Sequence, residues 1–272
     1  MKDPSYFTHN SSKEERDILF EYQNIDISER PKLNLLGVDF DNIQRNKAIA
    51  IILDMIEKKE KFHHILMLDP LKLVNMRENK SLNRIPKKAS LVLAEAGGMD
   101  WAVKKLGKQL EEEITLISIL MDLIRYSEKK GLTLFFLGST EKVVDKMFFN
   151  LIKHFPDIRI VGRHSGNLSK ERELMVKEAI RKTSPDLIFL GLEFPDQELW
   201  IENNTGFFGK SVVIGTWNTF EVLAGMVENS TPEYFQIRNL HWLWKVISRP
   251  WKLGRVFDVL RFYFSFAFKK NK

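Results

Sequence analysis

Two short stretches, residues 186–191 (DLIFLG) and 211–215 (SVVIG), are apolar almost throughout, end in glycine and lead through polar turns into helix-forming sequence. A run that is apolar without alternation is what a strand buried on both faces of a parallel sheet requires. The pattern recurs at residues 33–38, 62–68, 89–94, 132–137 and 158–161. Between these runs, residues 48–58, 101–106, 142–155 and 170–183 have helical apolar spacing or the charge of a surface helix. Alternating strands and helices give an α/β fold with a mostly parallel sheet flanked by helices. In such sheets, ligands bind at the carboxyl ends of the strands.

Composition narrows the class. With 272 residues, 44% of them hydrophobic, the chain can bury a sizeable core. It has no cysteine, which excludes a disulfide framework and a thiolate metal site and is compatible with a reducing cytoplasm. No apolar run approaches the roughly 18 residues needed to span a bilayer, and the first residues lack an apolar leader segment. A soluble or peripheral protein is expected. The net charge of +6 permits anionic partners. Residues 1–32 read as an irregular lead-in, 33–237 as the α/β domain and 238–272 as a separate appendage.

The turns after the strands hold the polar residues. Pro195 suits the first turn of a helix, which places Gln197 and Glu198 in that turn, facing the crevice. Free N–H groups there and at residues 216–219 would suit a phosphate, although two ordinary strand-to-helix turns explain the same spacing. The Gly138-Ser139-Thr140 turn offers a further diphosphate cradle, with Ser139 as a plain helix cap the alternative. Asp39-x-Asp41 invites a divalent-ion reading, which we do not adopt; no metal or cofactor is assigned. His63 and His64 point to opposite sides of a strand, so they cannot jointly ligate one ion, and strand-edge solvation is their expected role.

Gly-Leu-x-x-Pro-x-Gln-Glu at 191–198, followed by Gly-x-x-x-x-Phe-Glu-x-x-Ala-Gly at 215–225, resembles the WecG/TagA/CpsF family of bacterial glycosyltransferases. The likeness runs from about Leu33 to Arg255. It implies a Rossmann-like sheet and transfer of a sugar, often N-acetylmannosamine, from a UDP-sugar to a polyprenyl-diphosphate-linked acceptor in cell-surface polysaccharide or teichoic-acid synthesis. The stretch 95–102 resembles the family turn that carries the proposed general base, which gives Glu95 that role and Gly98 the second glycine. Asp100 is the rival carboxylate, with helix-face solvation its other reading. Met67 and Asp69 stand at a Thr-x-Asn motif lining the pocket, and Leu116 and Ser118 at a Gly-x-Asp motif. Glu193 and Asp196 replace a glycine and a lysine, and Trp217 and Asn218 replace later glycines. Gln197, Glu198, Phe220, Ala224 and Gly225 are retained, and Glu221 fills the acidic position beside Phe220. Gly138, Gly191 and Gly215 are expected to frame the donor.

From Arg238 onward, Lys and Arg interleave with Trp and Phe, with Asp258 the single acidic residue. Such a segment suits an anionic membrane interface and carries too many charges to span one. In the family it touches the membrane and helps hold the nucleotide diphosphate, which makes Lys245, Lys252 and Arg255 the candidates. The same pattern could bind single-stranded nucleic acid, but no accompanying motif supports that, and we assign no nucleic-acid partner. Burial in an oligomer interface, with a second copy or a partner transferase, is a third reading. The leading expectation is a glycosyltransferase at the cytoplasmic face of the membrane. The competing one, motivated by Met67, Ser118, Glu193, Asp196 and Trp217, is a non-catalytic membrane-associated partner of an active transferase.

Overall fold

The run at 33–38 does not form one strand. It divides into β1 (Lys32–Leu35) and β2 (Val38–Asp41), paired antiparallel with Leu35 opposite Val38. Between them Leu36 and Gly37 have φ of 52° and 88°, the doubly left-handed turn whose twist matches a two-residue hairpin. The structure, a computed structural model, describes residues 22–226 and 253–267.

After the hairpin the chain alternates. In order come α1 (Arg45–Lys58), β3 (His63–Leu68), α2 (Pro70–Glu78), α3 (Ile85–Lys88), β4 (Leu91–Ala94), α4 (Met99–Lys105) and α5 (Leu116–Lys130). Then follow β5 (Thr133–Gly138), α6 (Glu141–His154), β6 (Arg159–His164), α7 (Lys170–Thr183), β7 (Leu187–Gly191), α8 (Asp196–Asn203), β8 (Val212–Gly215), α9 (Thr219–Leu223) and α10 (Leu253–Ala267). Local chemistry sets several starts: Thr115, Thr140 and Ser169 cap α5, α6 and α7 by accepting the amide of the residue three places on. Among the described residues the strands form one eight-stranded sheet, ordered β1-β2-β4-β3-β8-β7-β5-β6, in which only the β1–β2 pair is antiparallel. The two halves of the chain meet at the β3–β8 pair.

Side chains alternate between the faces with period two. Ile65, Met67, Leu134, Phe136, Leu187, Phe189, Val212 and Ile214 pack under α1, α5, α6 and α9. Leu66, Leu68, Val92 and Ala94 pack with α2 and α4 on the other face, and Phe135, Leu137, Ile188, Leu190 and Val213 with α7 and α8. Each fully buried Leu, Ile or Phe contributes about 1.5–3 kcal/mol, so apolar burial on both faces holds the central strands.

Three features bear on the sequence reading, and the first corrects it. His63 and His64 lie on a central strand, both buried, with His63 Nδ1 2.9 Å from Ser90 Oγ. They are interior groups and not edge-solvated ones. Asp41 of the Asp39-x-Asp41 pair is buried, accepting from Arg30 at 3.0 Å and from the Val92 amide at 3.0 Å, and so ties β2 to β4. Finally, α10 is docked onto the fold: Phe262 and Phe266, both 0% exposed, insert against Trp101 and α2. Arg261 on its flank pairs with Glu78.

Candidate functional site

The carboxyl ends of β4, β3, β8, β7 and β5 lie side by side in the sheet. Leu68 is opposite Ala94, so the next rung sets Asp69 beside Glu95, and the Glu95 amide donates to the Leu68 carbonyl at 3.0 Å. Glu95 is half-buried. Asp69 caps α2, its Oδ1 accepting from the Lys72 amide at 2.8 Å, with Pro70 in the first turn. Met67, expected to line the pocket, has its side chain in the core under α1 and α5 and offers the site only its carbonyl. Gly98, φ 118°, is the cap of α4. A Cβ there would stand 3.0 Å from Pro70 Cγ and 3.3 Å from Tyr263 Oη. The turn after Glu95 is therefore wedged between the exit of β3 and the C-terminal helix. The sequence reading missed Tyr263; burial and the nearby Asp100 raise its phenol above the ordinary value.

At β5 the cap of α6 is Thr140. Ser139, φ 52°, instead donates its hydroxyl to Glu221 Oε1 at 2.6 Å and its amide to the Gly191 carbonyl at 2.8 Å. A Cβ on Gly138 would overlap the Gly191 carbonyl, and one on Gly215 would overlap the Gln197 amide. These glycines let neighbouring turns nest. Trp217 also takes a left-handed φ, 41°, and donates its amide to Gln197 Oε1 at 2.9 Å. For side chains of this kind that backbone costs of order 1 kcal/mol or more, and such strain concentrates at functional sites. The side chain of Phe220 is in the core, its ring 5.7 Å from Phe136. Glu221 Oε2 and Thr216 Oγ1 are buried without a hydrogen-bond partner among the described residues. The amide N–H groups of Ser139, Gln197, Glu198, Trp217 and Thr219 are donated within the fold, so the cradle expected from free amides is smaller than the turns imply.

Gln197 and Glu198 do not face the crevice. Both are 0% exposed, because α8 lies across β8 with its first turn pointing inward. Gln197 Nε2 donates to Glu198 Oε1 at 2.9 Å; the same oxygen is 3.0 Å from Lys72 Nζ, and Oε2 is 3.3 Å from His64 Nε2. Lys72 Nζ also donates to the Met67 carbonyl at 3.0 Å. Burial opposes both charges. Even so, Lys72 and His64 hold Glu198 well below the usual carboxylate range, while Glu198, then Asp69 and Glu95, hold Lys72 above the ordinary lysine value. Glu193 and Asp196 are exposed at the rim. Arg255 lies on α10, and Lys245 and Lys252 fall outside the described residues.

Two cavities lie elsewhere on the described surface. One of about 450 Å³ opens beside Asn42, Lys47 and Glu111, and one of about 300 Å³ lies at the opposite sheet end around Asp186. Chemically, the strand ends offer a carboxylate pair backed by a buried cation, an arrangement able to take a proton from a hydroxyl held beside it.

The profile of the "Glycosyl transferase WecG/TagA/CpsF family" matches residues 33–272. Relatives from Staphylococcus aureus strains MW2, NCTC 8325 and MRSA252 each carry the name N-acetylglucosaminyldiphosphoundecaprenol N-acetyl-beta-D-mannosaminyltransferase. Each is 26% identical over 246 residues, covering 90% of this chain and 96% of the relative. With the profile spanning both the strand-end turns and the C-terminal helix, the chain belongs to the WecG/TagA/CpsF family of glycosyltransferases.

Proposed function

We propose that this chain transfers an N-acetylhexosamine, N-acetylmannosamine or a close relative, from a UDP-sugar to a polyprenyl-diphosphate-linked acceptor, with Glu95 as general base. The observation that carries the reading is the position of Glu95 beside Asp69 at the carboxyl end of the central strands, on a turn packed under the C-terminal helix. The names of the relatives, whose acceptor is N-acetylglucosaminyldiphosphoundecaprenol, support the acceptor class.

In the proposed reaction, the acceptor hydroxyl gives its proton to Glu95 as its oxygen attacks the anomeric carbon. The bond from that carbon to the UDP oxygen breaks, and UDP leaves with the electron pair. Asp69, held by the Lys72 amide, stands beside the base as a fixed acceptor. Ser139, Glu221 and the turns at Gly138, Gly191 and Gly215 border the donor. Lys245, Lys252 and Arg255 counter the charge of its diphosphate. On α10, Phe257 and Phe264 are 66% and 62% exposed, with Leu260 between them on the same outward face. No helix among the described residues is long and apolar enough to cross a membrane. That stripe, with the basic segment preceding it, supports peripheral binding to the anionic inner face of the membrane.

The test is transfer from a panel of UDP-N-acetylhexosamines to a diphosphate-linked N-acetylglucosamine acceptor. Turnover with one preferred donor, lost in Glu95→Gln, is the expected result. Full activity of Glu95→Gln overturns the base assignment. Absence of turnover and of UDP-sugar binding overturns the reading in favour of a non-catalytic partner.

A further inference from the structure

Lys72 belongs to no motif recognised in the sequence. Its side chain is 3% exposed, yet it sits in the first turn of α2, three residues after Asp69. A lysine is almost never sealed away unless paired. Here its ammonium meets the Met67 carbonyl at 3.0 Å and Glu198 Oε1 at 3.0 Å, while its backbone amide holds Asp69 Oδ1 at 2.8 Å. One residue thereby joins the last rung of β3, the cap before α2 and the first turn of α8. Glu198 is in turn fixed by Gln197 on one oxygen and approached by His64 on the other, and Gln197 holds the amide of the strained Trp217. The chain of contacts runs from the carboxyl end of β3 to the β8 turn.

We propose that Lys72 is a positioning residue for this transfer: its buried ammonium locks α8 to the carboxyl end of β3 and supplies the positive charge against which the Asp69–Glu95 pair is set. The inference rests on the reading of Glu95 as base. The electrostatics agree with the geometry, since Glu198, Asp69 and Glu95 all act on Lys72, in that order of strength. The effect is mutual. A cation set near Glu95 favours the ionised carboxylate, and an ionised Glu95 is the one able to accept a proton.

Two measurements test this, one of them independent of turnover. In 13C-carboxyl NMR with glutamate labelled at Cδ, and Glu95 assigned through Glu95→Gln, Lys72→Met is expected to raise the titration midpoint of Glu95 by about one pH unit. With Glu198 still ionised, removing the cation leaves only like charges beside Glu95, so the sign is upward. In transfer assays the acid limb of the kcat/KM profile moves up with it, and kcat falls about tenfold or more while donor KM stays within about threefold. Lys72→Arg, which keeps the charge, is expected to recover part of kcat. If Lys72→Met does not fold, Lys72→Met/Glu198→Gln, which leaves no unpaired charge of that couple, provides the kcat-against-KM comparison. An unmoved Glu95 midpoint in folded Lys72→Met, or wild-type kcat in the double variant, overturns the proposal. If Glu95→Gln transfers at the wild-type rate, the base assignment falls on its own, and the NMR midpoint still decides on Lys72.

Discussion

Removing Lys72 strands a carboxylate that is 0% exposed, and the cost can be worked out from that burial. Breaking a buried ion pair from one side typically costs about 3–5 kcal/mol, because the remaining charge has lost both water and partner. Unfolding entropy near the midpoint is about 2.1 cal/mol/K per residue, or roughly 0.6 kcal/mol/K for a chain of this length. Lys72→Met is therefore expected to lower Tm by about 5–9 °C at pH 7, read by circular dichroism. Lys72→Met/Glu198→Gln, with neither charge left, is expected to recover most of that loss, since a neutral pair avoids both desolvation terms. The pH dependence has a definite sign. Glu198 has a depressed value in the fold, so its contribution is present above the unfolded carboxylate value near 4.3 and fades as pH falls toward the folded one. Lys72 has a raised value, so its contribution is present below about 10.4 and is lost as pH rises through the folded one. The gap between wild type and Lys72→Met is thus widest between about pH 5 and 10 and narrows on both sides. A Tm change under about 1 °C, or a double variant as unstable as the two single losses combined, would refute the argument.

Other perturbations follow from the same contacts. Phe262→Ala or Phe266→Ala removes a fully buried ring from the α10 contact with Trp101, at a cost of about 3–5 kcal/mol, and should free α10 to limited proteolysis before the sheet unfolds. Gly215→Ala drives a methyl into Gln197 and should lower Tm by several degrees, whereas Gly206→Ala, with open space around it, should change Tm little. Replacing Phe257 and Phe264 by Ser leaves the core untouched, so Tm should hold while cosedimentation with anionic vesicles drops; unchanged cosedimentation would remove the stripe from the membrane contact.

The sheet was legible because its central strands carry no polar alternation. Nothing but burial on both faces explains runs such as residues 186–191 and 211–215. The β1–β2 hairpin was hidden because Gly37 sits inside an apolar run and the left-handed Leu36 gives no signal of its own. The inward turn of Gln197 and Glu198 could not be read locally, since their partners Lys72 and His64 come from α2 and β3, far away in sequence. The serine and threonine at 139 and 140 are chemically equivalent as caps, and only the Glu221 contact shows which one is used otherwise. In the C-terminal segment, aromatic density pointed to a membrane surface. The i, i+4 pair Phe262 and Phe266 is core, while Phe257 and Phe264 face out, a division fixed by Trp101 and α2 and invisible in composition.

The central claim, that Glu95 deprotonates the acceptor, is met most directly by comparing wild type with Glu95→Gln. The measurement is transfer of N-acetylmannosamine from its UDP derivative to a diphosphate-linked N-acetylglucosamine acceptor, at pH 7 and with matched Tm. The account predicts that Glu95→Gln binds the donor as wild type does and loses about 10²–10⁴ in kcat. A Glu95→Gln protein that turns over at the wild-type rate would contradict it.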